Sequence, residues 1–264
     1  MTLQKLLLYI AIIALLLTVL IGWWKKGHKS WLMTYLQNFT GVLFIISGFV
    51  KAVDPMGTAF KMEHYFVEFE YTFAHTWFSF IAPIFPFLSK ISLIFSVAMI
   101  VFEIILGIML LLGHRAKATS WAFLLLVGFF TMLTGFTYLT GDVPTDSTFF
   151  QFSTWGPYAE SNMRVTDCGC FGDFIKLEPK ISFLKDLASL LAAFFFVFRH
   201  KYMHQLFSVK TRRITILIST VLVVLFCLNN FLWNLPVIDF RPFKVGTNLF
   251  EKREAEQKAN STHG

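Results

Sequence analysis

Two of the three cysteines in this chain of 264 residues stand one residue apart, in Asp167-Cys168-Gly169-Cys170-Phe171-Gly172-Asp173. Cysteines at that spacing can close a small ring whose tight geometry stores strain, and strained disulfides are more readily reduced. The loop so closed is too short to remove much chain entropy, so the pair suits thiol–disulfide exchange better than stapling. Gly169 and Gly172 supply the backbone freedom for the turn. Two other readings stay open. One is a local structural disulfide; the other is half of a zinc site using His64 or His75, although no second Cys/His cluster has ligand spacing. Cys227 reads as a small apolar core residue.

Three further positions carry ionisable groups within or beside apolar runs. Lys51, in Ser47-Gly48-Phe49-Val50-Lys51-Ala52-Val53-Asp54-Pro55, lies near the end of a helix that Asp54-Pro55 terminates. Its stem can snorkel to the headgroups, or it can be held beneath the neighbouring loops, where an ammonium would favour thiolate at Cys168 or Cys170. Glu103 falls near the middle of an apolar run. An intramembrane carboxylate costs roughly 2.5–3.5 kcal/mol on insertion scales, so it calls for a protein-facing position with a partner. It reads as a protonated acid bonded to a neighbouring helix or as a proton carrier, and Gly107, one turn further on, favours close packing there. Asp186, next to Lys185, starts the fifth apolar run, where it can favour the helix N-terminus or pair with Lys51 or Lys185.

The elements that must position these residues follow from composition. The chain is 56% hydrophobic and 18% aromatic, with 33 Phe and only 15% charged residues. A soluble domain carries about 25% charged residues, and this apolar surplus has no room inside one or two soluble cores. Disorder, collagen and a disulfide-rich secreted scaffold are excluded on the same figures. The apolar runs give six spans, at 6–24, 31–53, 91–112, 118–140, 181–198 and 214–235. A helix rises about 1.5 Å per residue across a hydrocarbon core about 30 Å thick, so roughly 20 residues are needed; four of the runs meet this without difficulty, while 181–198 is at the short end and 31–53 is diluted by Gln37, Asn38 and Lys51. Lipid satisfies no bare peptide group, so each span is expected as an α-helix. The fold class is therefore all-α integral membrane, with six transmembrane helices.

Charge placement orients the bundle. The connections 25–37, 113–117 and 199–213 hold ten basic residues and no Asp or Glu; 54–90 and 141–186 are acidic on balance. The Lys/Arg bias puts the basic connections in the cytoplasm, with both termini and the cysteine loop 141–180 on the periplasmic side of a bacterial inner membrane. This accounts for the net charge of +7 without nucleic acid. The first span ends in Trp23-Trp24 with no small-x-small cleavage site, so it reads as an uncleaved helix rather than a signal peptide. Residues 56–72, where Phe60, Tyr65, Phe66 and Phe69 alternate with Lys61, Glu63, Glu68 and Glu70, resemble an amphipathic helix on the outer surface, either roofing the cysteine loop or floating at the interface.

Gly48-Phe49-Val50-Lys51-Ala52-Val53-Asp54-Pro55 followed by Gly57-Thr58-Ala59-Phe60-Lys61-Met62-Glu63 resembles the opening of DoxX-like membrane proteins. The Glu103…Leu106-Gly107 stretch, the Cys168-Gly169-Cys170-Phe171-Gly172-Asp173 run and Lys185-Asp186 resemble the branch of that superfamily related to MauE. The resemblance covers about residues 35–200, and it implies a four-helix core with an extra helix at each end. It divides the chain into an extra N-terminal helix at 1–30, the four-helix domain at 31–200, a C-terminal helix at 201–236 and a polar external tail at 237–264. MauE-like proteins are associated with methylamine utilisation and disulfide formation in exported partners, and other DoxX relatives with quinone-linked sulfur oxidation. The resemblance thus implies that Cys168 and Cys170 exchange electrons with a periplasmic thioredoxin-like or other exported thiol protein, with a membrane quinone at the other end of the path. Lys51 would stabilise the thiolate, and Glu103 or Asp186 would carry the proton. A non-catalytic assembly subunit with a structural disulfide, or a small-solute transporter using Glu103 and Lys51, are the alternative readings.

Overall fold

The structure, a computed structural model, describes residues 2–24, 30–74, 76–144, 147–165, 169, 171–172, 174–175, 177–230, 232–234, 248, 250 and 253. Eight α-helices occur among them: α1 (Leu3–Trp24), α2 (Trp31–Val53), α3 (Pro55–Ala74), α4 (Ile84–Lys90), α5 (Ser92–Leu112), α6 (Ala116–Leu139), α7 (Pro179–Arg199) and α8 (Val209–Asn229). All but α3 and α4 are long and apolar enough to cross a membrane, so the chain is an all-α integral membrane protein with six spans, as the apolar runs require. The side of the bundle carrying residues 141–180 is called the loop side below.

Local chemistry sets the ends. The Ser30 hydroxyl accepts from Met33 N at 3.3 Å to start α2, and that of Ser208 accepts from Thr211 N at 3.1 Å to start α8. Asp54 ends α2 and begins α3, its carboxylate accepting from Gly57 N at 2.9 Å while Pro55 fills the first helical position. Gly113 closes α5 in the left-handed region, at φ 64°.

Small residues let the spans approach. A Cβ on Gly107 of α5 would stand 2.8 Å from Gly41 O of α2, and one on Gly41 3.0 Å from Gly107 O, so the two helices touch backbone to backbone. α1 runs antiparallel to α2, and Asn38 Nδ2 donates to Thr18 Oγ1 at 3.0 Å between them. Gly135 of α6 lies against the Phe183 ring of α7. On the side opposite the cysteine loop, Gln37 Nε2 donates to Leu110 O at 2.6 Å, His204 N donates to Gln37 Oε1 at 3.1 Å, and Arg212 donates to Gly113 O at 2.7 Å, fastening the α7–α8 connection to the end of α5.

Three features differ from the sequence reading. α8 begins at Val209, not 214, because Ser208 caps it and buried Arg212 spends its charge on the Gly113 carbonyl. It ends at Asn229, and Asn230 Nδ2 donates to Val53 O. The amphipathic stretch forms α3, but its apolar face is packed inward: Met62, Tyr65, Phe66 and Phe69 form one buried cluster with Leu133, Phe136 and Val165. Short α4 follows it, a turn of structure that Pro83 and Pro86 conceal in the sequence. The tail at 237–264 lies almost wholly outside the described residues.

Candidate functional site

Lys51 sits two residues before the end of α2 and is 7% exposed. Its Nζ lies 2.7 and 2.9 Å from the carboxylate oxygens of Glu103 on α5 and 3.2 Å from Ser47 Oγ, and 4.5 Å from the centre of the Phe130 ring on α6. Snorkelling to the headgroups is thereby overturned: the ammonium is turned into the bundle, where a carboxylate, a hydroxyl and an aromatic face replace its water. Glu103, 2% exposed, has the partner that its place in an apolar span demands.

Asp186 does not cap its helix. α7 begins at Pro179, so Asp186 lies about two turns in, buried at 3% exposure. Its carboxylate accepts from Thr134 Oγ1 of α6 at 3.0 Å and from Lys185 Nζ at 2.5 Å. Lys185 is thus its cation, and Lys51 belongs to Glu103.

The two ion pairs line one cavity of about 40 Å³, whose walls also include Thr58 and Lys61 of α3 together with Gly169 and Phe171 of the cysteine loop. That space holds a few water molecules, each needing about 10–15 Å³, and no organic ring.

Cys168 and Cys170 lie outside the described residues, as do Asp167, Asp173 and His75. Their described neighbours locate the turn. Gly172 N donates to Gly169 O at 3.1 Å, and both glycines have positive φ, 59° at Gly169 and 50° at Gly172. Phe171, 1% exposed, plugs the helix core beside Phe44, Leu106 and Phe123 and anchors the loop in the bundle. Gly169 packs on Lys61: a Cβ there would stand 2.6 Å from Lys61 Cδ and 3.3 Å from Nζ. Lys185 Nζ lies 5.7 Å from the Phe171 ring centre.

Lys61, Thr134 and Ser47 escaped the sequence reading. Ser47 is one turn from Lys51, a signal that periodicity could have supplied; Lys61, in an acidic amphipathic stretch, reads as a solvated charge. Among the described residues no three His, Cys, Asp or Glu side chains converge as metal ligands. Cys227 is buried among Ala52, Ile100 and Ile104.

The family model of methylamine utilisation protein MauE matches residues 29–145, a little under half of the chain. The matched segment includes Lys51, Lys61, Glu103, Phe130 and Thr134 and ends before the cysteine turn and Asp186. Comparison with curated proteins and with solved structures gives no match.

Proposed function

We propose that the protein is a membrane thiol–disulfide oxidoreductase in which Cys168 and Cys170 exchange electrons with an exported thiol protein. The observation that carries this reading is the seat of Gly169: the residue joining the two cysteines lies against Lys61 and lines the same buried cavity as Lys51, Glu103, Lys185 and Asp186. Amide bonds keep Cys168 and Cys170 within one residue of that ammonium, and a nearby cation raises the thiolate fraction on which exchange depends. Lys61, on whose stem Gly169 packs, is the cation we assign to the sulfurs. The buried carboxylates of Glu103 and Asp186 stand ready for protons that the thiols release.

In the oxidising direction a partner thiolate attacks the Cys168–Cys170 disulfide, one cysteine leaves as thiolate, and a mixed disulfide forms. The partner's second thiolate then attacks its own sulfur in that bond. The partner leaves oxidised, and both cysteines remain reduced with two protons taken up. A membrane quinone accepts two electrons and two protons and would return the pair to the disulfide. The MauE match, together with the Lys/Arg bias of the connections 25–37, 113–117 and 199–213, supports a place in the inner membrane with the cysteines facing the periplasm, serving the maturation of exported proteins of a methylamine-utilisation system.

The test uses the full chain in membrane vesicles with a reduced thioredoxin-like substrate. Cys168→Ser and Cys170→Ser are each expected to abolish oxidation of the reduced substrate; mixed with the oxidised substrate, whose disulfide the remaining thiolate attacks with release of one substrate thiolate, a single variant is expected to trap a mixed disulfide visible on a non-reducing gel. Unchanged oxidation in both variants overturns the redox reading, as does a disulfide that resists millimolar dithiothreitol and therefore only stiffens the loop.

A further inference from the structure

The end of the bundle opposite the cysteine loop gathers cations without acids. Arg212, 5% exposed, donates to two neutral acceptors, Gly113 O at 2.7 Å and Gln205 Oε1 at 3.3 Å. Arg213 follows it on α8, Arg115 stands two residues beyond Gly113, and both are exposed. His114, in the same turn, feels all three: burial first, then the charges of Arg212, Arg115 and Arg213, hold its pKa below 6.5. Three cations on the loop side have carboxylates, Lys51 with Glu103, Lys185 with Asp186, and Arg164 at 3.7 Å from Glu68. No ion pair joins Arg115, Arg212 or Arg213 to an acid among the described residues, and the connections 113–117 and 199–213 contain neither Asp nor Glu. A buried guanidinium calls for an anionic partner, and here the neighbouring chain supplies none.

An apolar groove of about 630 Å³ opens beside this cluster, lined by Leu17, Leu20, Ile21 and Trp24 of α1, Leu112 of α5 and Leu206 of the α7–α8 connection. The volume falls in the range of sites that take small organic ligands, about 300–1,000 Å³. Hydrogen bonds join groove and arginines. Leu206 N donates to Leu112 O at 3.0 Å, and the next residue, Gly113, offers the carbonyl that holds Arg212. The Trp24 and Phe207 rings meet edge-on at 5.5 Å, tying the end of α1 to the same connection. Trp23 and Trp24 are exposed and mark the headgroup level, so the groove runs from there into the hydrocarbon, where exposed Leu20 opens it to lipid.

We propose that this end of the bundle binds one anionic phospholipid, with an acyl chain in the groove along α1 and the phosphate on Arg115 and Arg213. The two features call for different halves of one molecule. A neutral lipid fills the groove and leaves the arginines without an anion; a free anion does the reverse. Basic pockets at the ends of membrane helices recognise anionic headgroups in this way, each cation contributing about a fivefold gain in affinity. Arg212 stays on Gly113 O behind the phosphate and adds its field without leaving its helix contact. The site is independent of the cysteines and of the redox reading.

The experiment titrates the full chain, purified in detergent, with dioleoylphosphatidylglycerol or dioleoylphosphatidylcholine, and follows native mass spectra and the melting temperature. Saturable binding of one phosphatidylglycerol is expected, with a rise in melting temperature and with phosphatidylcholine at least fivefold weaker. Arg115→Gln/Arg213→Gln, which changes two exposed side chains, is expected to weaken phosphatidylglycerol binding by roughly five- to twentyfold. It leaves phosphatidylcholine binding and the lipid-free melting temperature unchanged. Leu20→Trp, which fills the groove from its lipid side, is expected to weaken both lipids. Equal affinity for the two lipids, or an unchanged phosphatidylglycerol affinity in either variant, would overturn the assignment. So would inorganic phosphate raising the melting temperature as far as phosphatidylglycerol does, which makes the arginines a bare anion site, or a dimer crosslinked through α1, which gives the groove to a second copy.

Discussion

Glu103 meets Lys51 across a helix contact that Gly107, one turn along α5, makes close by touching the backbone of Gly41. The ion pair and the glycine contact are parts of one seam. Replacing Gly107 with Leu places a branched side chain where a Cβ alone already stands 2.8 Å from Gly41 O and from Ile45 Cγ1. Overpacking of that kind costs about 1–3 kcal/mol, and more where backbone must move. Gly107→Leu is expected to lower the melting temperature in detergent and to cut membrane yield. Gly128→Leu on α6, where a Cβ meets nothing within 4 Å, is expected to do neither.

Breaking the buried pair from one side leaves an uncompensated charge. Lys51→Met or Glu103→Leu alone is expected to destabilise by about 3–5 kcal/mol, whereas the double variant recovers most of that loss because apolar side chains replace both ions. Thermal melts of the three proteins measure the coupling. If the pair serves only to hold α2 against α5, the recovered double variant also regains thiol exchange. Under the proposed function it folds but exchanges slowly, having lost Glu103 as a proton acceptor.

A positive charge beside the Cys-Gly-Cys backbone raises the reactive fraction of the reduced sulfurs. Lys61→Met is expected to slow iodoacetamide labelling of Cys168 and Cys170 at neutral pH by roughly three- to tenfold, and Lys61→Arg to restore most of the rate. Mass spectrometry of the two cysteines separates them from Cys227, which is buried. Equal labelling rates in the parent and Lys61→Met would remove Lys61 from the proposal.

The spans were legible in the sequence because a long apolar run has few other uses, and Lys51, Glu103 and Asp186 were legible because an ion beside such runs needs explaining. Pairing was not. Nothing in a linear pattern says that Lys51 closes on Glu103, 52 positions away, while Asp186 takes its own neighbour Lys185. Lys61 hid for a related reason: among Glu63, Glu68 and Glu70 it looks solvated, and only the fold of the cysteine loop brings Gly169 onto its stem. The start of α8 was misjudged because Arg212 resembles a loop charge until its contact with Gly113 O is seen.

His114 lies in the short turn between α5 and α6, outside the spans, and it sets an acid limit on stability. Burial, then the charges of Arg212, Arg115 and Arg213, hold its pKa below the ordinary value of 6.5. In the unfolded chain the imidazole takes its proton near that ordinary value; in the folded protein it stays neutral to lower pH. Between the two pKa values the unfolded state binds more protons, so this contribution leaves stability intact above 6.5 and erodes it as pH falls through the unfolded and towards the folded pKa. The melting temperature in detergent is expected to decline from about pH 6.5 downward, and His114→Gln, which cannot titrate there, to flatten that part of the curve. Measured from about pH 8 to pH 5, identical slopes for the parent and His114→Gln would show that the acid limit arises from another group.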